Sequence, residues 1–104
     1  MDTDENVKKD VVNEQKNLIA ISIEELESFF KDIITEFDEC LNFKVYSLFE
    51  HNTKFINVYI AKSSISASLM YHIVSYELDF VHLFNIDFEY GLIIFKYEIL
   101  NWSD

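Results

Sequence analysis

Residues 22–40 read SIEELESFFKDIITEFDEC, and this stretch sets the first element of the fold. Ser22 and Glu25 have the three-residue spacing of a capping box, which is typical of a helix start. With about 100° of rotation per residue, the apolar side chains share about 140° of arc, and every acid falls on the remaining arc. The apolar set is Ile23, Leu26, Phe29, Phe30, Ile33, Ile34, Phe37, Cys40 and Leu41. The sequence therefore predicts an amphipathic helix over 23–41.

The polar face of this helix is strongly acidic. Residues 23–41 carry seven carboxylates and one cation, Lys31. Like charges three or four positions apart repel, which costs a few tenths of a kcal/mol per pair. Four of the acids lie within about 60° of one another and form a file about 20 Å long. This file consists of Glu25, Asp32, Glu36 and Glu39.

From Phe43 onward the apolar pattern changes to a period of two, which is typical of strands. FKVYSLFE (43–50) and FINVYIAK (55–62) are separated by HNTK and predict a β-hairpin, with Asn52 suited to a left-handed turn conformation. FVHLFNIDFE (80–89) and LIIFKYEIL (92–100) predict a second hairpin. Its turn is Tyr90-Gly91, since Gly91 is the only glycine and tolerates positive φ.

Residues 63–79 fit two interpretations. A helix capped by Ser63 or Ser64 would use Leu69, Met70, Ile73 and Val74 as its apolar face, whereas a strand would use Ala67, Leu69, Tyr71 and Ile73. The pattern favours the helix slightly. The predicted fold class is α+β: an N-terminal amphipathic helix packed on an antiparallel sheet of about four strands, with a second helix at 63–79. Several strand positions are apolar on both faces, so the sheet needs a cover on each, from the helices or from a second subunit.

The organisation along the chain is simple. Residues 1–16 contain no aromatic residue and mix acids with lysines, which predicts a flexible acidic arm. Residues 17–104 have the size and apolar content of a single domain.

Composition excludes several function classes. The net charge is −11 and the chain contains no Arg, so we expect repulsion from nucleic acid and from anionic membranes. Cys40 is the only cysteine, which rules out an intramolecular disulfide. The N-terminus does not resemble a signal peptide, and the longest uncharged run, 63–76, is too short and polar to span a bilayer. A soluble, cytoplasmic protein is expected.

The residue patterns of common catalytic and cofactor sites are absent from the sequence. One glycine is too few for a phosphate-binding loop. His51, His72 and His82 do not form a metal-ligand spacing with Cys40, which lies on the apolar arc and is expected to pack in the core. We therefore expect no catalytic residues, no metal and no cofactor.

The charge is segregated along the chain, which favours a binding function. Residues 42–76 carry three lysines and one acid, while 77–104 carry six acids and one lysine. The hypothesis is a non-catalytic inhibitor that occupies a basic surface of a nuclease or nucleic-acid-binding effector, as an anti-defence inhibitor of phage type or an immunity protein would. The predicted partner-binding residues are Glu25, Asp32, Glu36, Glu39, Asp87, Glu89 and Trp102.

Several alternatives stay open at this stage. The acids can serve solubility alone. Trp102 can cap the edge of the core instead of anchoring an interface. Two other classes also fit: a small acidic homodimeric secretion chaperone that holds a partner segment on apolar surface, and a structural or assembly subunit.

Overall fold

The structure is a computed structural model that describes residues 3–37, 43–47, 53–61 and 65–102, with the side chains of these residues apart from 3–13, 34, 37 and 47. Its elements, in chain order, are α1 (Thr3–Phe37), β1 (Phe43–Ser47), β2 (Phe55–Ala61), α2 (Ala67–Ser75), β3 (Val81–Glu89) and β4 (Leu92–Ile99). The strands form one antiparallel sheet in the order β1-β2-β4-β3. The predicted α+β class is confirmed.

Helix α1 begins at Thr3, 20 residues before the predicted start at Ile23. Ser22 therefore lies in the helix interior, where its side chain is fully buried, and the prediction that it caps the helix is wrong. The apolar stripe continues upstream through Ile19, so a helix that starts early buries more apolar surface than one that starts at Ser22. α1 runs unbroken through residue 16, and the division into arm and domain stays a prediction. The predicted helical residues 38–41 lie outside the described residues.

The segment 63–79 contains a helix, as the sequence slightly favoured. The predicted caps, Ser63 and Ser64, are wrong, because Ser66 is the N-cap: its hydroxyl accepts a hydrogen bond from the Leu69 N–H at 3.2 Å. Leu69 and Ile73, one turn apart, are buried and fix α2 on the core.

Both predicted hairpins are confirmed. β1 pairs with β2, with Val45 opposite Val58, and the predicted Asn52 turn lies outside the described residues. β3 and β4 are joined by Tyr90 and Gly91, with φ of 50° and 77°. Positive φ at both positions defines the turn type that matches the twist of the paired strands.

The core lies between the two helices and one side of the sheet, which we call the inner face. Ile56, Val58 and Ile60 of β2 are fully buried there, as are alternate residues of β4. The centroid of the Phe30 ring in α1 lies 5.6 Å from the ring centroid of Phe43, 6.1 Å from that of Phe95 and 6.5 Å from that of Tyr97. The remaining core members are Ile19, Leu26, Phe29, Ile33, Leu69, Ile73, Val81, Ile93 and Ile99.

A β-bulge in β3 explains why this strand is apolar at both odd and even positions. Leu83 lies opposite Tyr97 and Asn85 lies opposite Lys96, so Phe84 is one residue in excess. Val81 and Leu83 face inward before the bulge. After the bulge the inward positions are even-numbered, with Ile86 opposite the buried Phe95.

Candidate functional site

The face of α1 that points away from the core is strongly acidic. Of its described carboxylates, Glu25 is half-buried and the others are exposed: Glu14, Glu24, Glu27, Asp32 and Glu36. The ion pairs of the described residues, Lys54 and His82 with Glu98, involve none of these carboxylates. The negative charge of this face is therefore available to a partner.

The predicted file of four acids is divided by the structure. Asp32 and Glu36 lie one turn apart and both are exposed. Glu39 lies outside the described residues. Glu25 is half-buried, and its carboxylate is engaged within the chain.

Glu25 ties α1 to the connection between α2 and β3. One carboxylate oxygen accepts the Asp79 N–H at 2.9 Å, and the other accepts the Phe80 N–H at 3.0 Å. Hydrogen bonds to a charged group contribute about 1.5–3 kcal/mol each where they are buried, and less in a partly exposed site such as this one. Glu25 thus fixes the loop that approaches α1, a role that the sequence did not predict.

The Glu25 contact brings two further acids to α1. An open depression forms between α1 and the α2–β3 connection, lined by Glu25, Ser28, Phe29, Asp32, Tyr76, Glu77, Leu78 and Asp79. We call it the acidic depression. Its floor is aromatic, because the Phe29 and Tyr76 rings stack with centroids 4.7 Å apart. Glu77 and Asp79 are exposed at its rim, close to Asp32.

This arrangement suits a cationic side chain of a partner. Carboxylates attract an ammonium or guanidinium group, and an aromatic ring face adds a cation–π contribution of about 0.5–1 kcal/mol at exposed sites. The Tyr76 ring is available for this, with 52% of its surface exposed. No group of three or more metal-ligating side chains occurs among the residues that the structure describes.

The second predicted contact lies on the opposite side of the sheet. Asp87 and Glu89 are exposed and lie opposite Ile94 and Leu92, on the face away from the helices. α1 and its acids lie beyond the inner face, so a flat partner surface contacts one acidic group or the other.

Trp102 is half-buried and packs against the hydrophobic core. This position is the one expected of a residue that caps the core edge. Its role as a partner anchor stays a prediction.

The predicted partner-binding residues did not include Glu77 and Asp79. They lie 40 and 42 residues beyond the end of α1, and the Glu25 contact that places them is long-range. The charge pattern alone held no signal for this contact.

Comparison of the chain with known proteins gives no relative that shares this site. No family model, no curated protein and no solved structure matches the chain. In the part of the chain that the structure describes, no helix has the length and apolarity needed to cross a membrane.

Proposed function

We propose that this protein is a non-catalytic, cytoplasmic inhibitor that occupies a basic surface of another protein through the acidic depression and the neighbouring face of α1. The expected target is a nuclease or a nucleic-acid-binding effector, because such proteins present clustered cations to phosphates. An anti-defence inhibitor of phage type and an immunity protein both act in this way.

The observation that supports the proposal is the concentration, on one side of the molecule, of acids that form no ion pair within the part of the chain that the structure describes. Residues 14–36 of α1 contain six carboxylates against two lysines, and Glu77 and Asp79 add to the same side. Such a field attracts a basic partner over about a Debye length of 8 Å and raises the association rate. It also repels nucleic acid, so the chain competes with the phosphates instead of binding them.

The test is affinity capture from a host lysate at low salt with stepwise elution at higher salt. We expect a nucleic-acid-binding protein to elute as the salt rises, and its nucleic-acid binding or cleavage to be blocked by the purified chain. The variant Asp32→Lys, Glu36→Lys, Glu77→Lys should lose capture and inhibition. Glu25 is left in place because it holds the loop.

A matched control carries the same change of charge elsewhere. The variant Asp87→Lys, Glu89→Lys should capture and inhibit as well as the unmodified chain, whereas Asp32→Lys, Glu77→Lys, with the same change of charge, should not. If this control loses the activity and the first variant keeps it, the acidic depression is not the site.

The second candidate function, a homodimeric chaperone or assembly subunit, is favoured by one observation. None of the residues that the structure describes covers the sheet face away from the helices, and this face carries partly exposed aromatic residues, such as Tyr46 and Phe84. Apolar binding of a partner segment on that face would persist in high salt, whereas binding through the acidic depression would weaken.

A further inference from the structure

The face of the sheet away from the helices, the outer face, has no cover among the described residues. It presents side chains of all four strands, and the central strands contribute the half-buried apolar residues Phe55, Tyr59 and Ile94 beside the polar Asn57, Lys96 and Glu98. The Phe55 ring packs on the Phe84 ring with centroids 4.9 Å apart, and the Tyr59 ring packs on the Tyr46 ring with centroids 5.1 Å apart. Both helices lie on the inner face, so none of the described elements covers the outer face.

The strand register arranges the outer face in rows that cross the sheet from β1 to β3. One row consists of Lys44, Tyr59, Ile94 and Asp87. The next row consists of Tyr46, Asn57, Lys96 and Asn85. In the first row a cation and an anion occupy the two ends, and the centre is apolar.

The two ends of the first row cannot neutralise each other within one chain. Lys44 and Asp87 are exposed on the two edge strands, three strand spacings or about 14 Å apart. A second copy turned by a two-fold axis parallel to the strands, between β2 and β4, exchanges the two ends. Lys44 of each copy then faces Asp87 of the other, and Tyr59 faces Ile94.

The second row is polar at its centre and brings no like charges together. Asn57 lies in the middle of the outer face with 7% of its surface exposed, and its Oδ1 has no hydrogen-bond donor among the described residues. Its Nδ2 donates to the Tyr59 hydroxyl at 3.3 Å. Under the same two-fold axis, Lys96 of each copy lies over Asn57 of the other, so an amide group and not a like charge faces each ammonium.

We infer that the outer face is the interface of a symmetric homodimer, in which two sheets pack face to face with β1 of one copy over β3 of the other. The other in-plane two-fold axis, perpendicular to the strands, would place Lys44 over Lys44 and Asp87 over Asp87. Aligned sheets pack about 10 Å apart with a rotation near 30°, which displaces the ends of the rows by less than the length of a lysine side chain. The face measures about 19 by 24 Å, an area below that of a standard interface, so we expect a weak and reversible dimer.

The test is sedimentation equilibrium of the full chain from about 10 µM to about 1 mM. We expect a monomer–dimer equilibrium for the unmodified chain. Lys44→Glu and Asp87→Lys should each weaken the dimer about tenfold or more, since like charges then meet at both ends of the row. The double variant Lys44→Glu, Asp87→Lys should return to within about threefold of the unmodified Kd, because the opposite charges meet again.

Matched controls carry the same charge changes on α1. Lys31→Glu and Asp32→Lys should leave the dimer Kd unchanged, and thermal unfolding of every variant shows that the fold persists. A monomer at all concentrations, a double variant as weak as the single variants, or an equal loss in the α1 controls would overturn the inference. The inference is independent of the proposed inhibitor function, because Lys44 and the acidic depression lie on opposite sides of the sheet, and it deepens the second candidate function, which rests on the same outer face.

Discussion

The two faces of the sheet have the same strands and the same backbone hydrogen bonds, yet they differ in what covers them. On the inner face, Ile56, Val58 and Phe95 are fully buried beneath the helices. On the outer face, the neighbouring Phe55, Tyr59 and Ile94 are only partly covered. Burial of apolar area is the main favourable term in folding, so one face stabilises the monomer while the other is free to take part in association.

The largest effect should come from truncation of the inner core. Phe30→Ala removes a ring that packs on Phe43, Phe95 and Tyr97, and we expect it to lower the free energy of unfolding by about 3–5 kcal/mol. Phe55→Ala on the outer face should cost about 1 kcal/mol, because its ring is half-exposed. Urea unfolding at low protein concentration measures both. Equal losses would contradict the distinction between the faces.

Removal of the Glu25 contact should have the next largest effect. Glu25→Gln replaces a charged acceptor of the Asp79 and Phe80 N–H groups with an amide, and we expect a loss of about 1–2 kcal/mol. Hydrogen exchange of these two amides should accelerate selectively. The exposed neighbour Glu24, changed to Gln, provides the control, and an equal acceleration there would show that the contact does not hold the loop.

The two faces also differ in the hydrogen bonding of their tyrosine hydroxyl groups, as Tyr97 on the inner face and Tyr59 on the outer face show. Tyr97 on the inner face is buried, its hydroxyl has no hydrogen-bond partner among the described residues, and burial raises its pKa above the usual value. Tyr97→Phe should therefore raise the free energy of unfolding by about 1 kcal/mol. Tyr59→Phe on the outer face should lower it slightly, because the Asn57 Nδ2 then loses its acceptor.

The raised pKa of Tyr97 also predicts a pH dependence. The neutral phenol is favoured in the folded state, so this stability is complete below the unfolded pKa of about 10 and decreases as the pH rises beyond it, by up to about 1.4 kcal/mol per pH unit. Tyr97→Phe should remove that part of the slope in urea unfolding between about pH 10 and 11. An unchanged slope would show that the phenol ionises equally in both states.

The smallest effect distinguishes the two roles considered for Ser22. Its buried Oγ has no hydrogen-bond partner in the described part of the chain, and Ala has the higher helix propensity. Ser22→Ala should therefore stabilise the protein by about 0.5 kcal/mol. A helix cap would give the opposite sign, with a loss of about 1 kcal/mol in the same unfolding measurement.

The strands and both hairpins could be predicted because side-chain alternation and turn residues are local signals. The start of α1 could not, because the capping pattern at Ser22 and Glu25 is also local, while the continuing apolar stripe through Ile19 decides the outcome. In the structure Glu25 contacts the backbone of Asp79 and Phe80 and not the Ser22 backbone that a capping box requires.

The candidate site was predictable in its charge but not in its composition. Asp32 and Glu36 were recognised from the periodicity of the helix. Glu77 and Asp79 join them only through a contact between distant parts of the chain. Asp87 and Glu89 face away from α1, because the bulge at Phe84 decides which residues of β3 point outward. A register shift of one residue moves every side chain beyond it to the other face of the sheet. The residue pattern of one strand alone does not reveal where such a shift occurs.

The bulge has a consequence for how this gene can change in length. Phe84 has no opposite residue on β4, so a deletion of its codon would leave Leu83 opposite Tyr97 and Asn85 opposite Lys96, as they are now. Loss of a codon between 85 and 89 would instead change the pairing with β4. Each residue between the bulge and the deleted position would then lie opposite a different residue of β4. Position 84 is therefore the place in β3 where related sequences can lose a residue and keep the pairing of the hairpin.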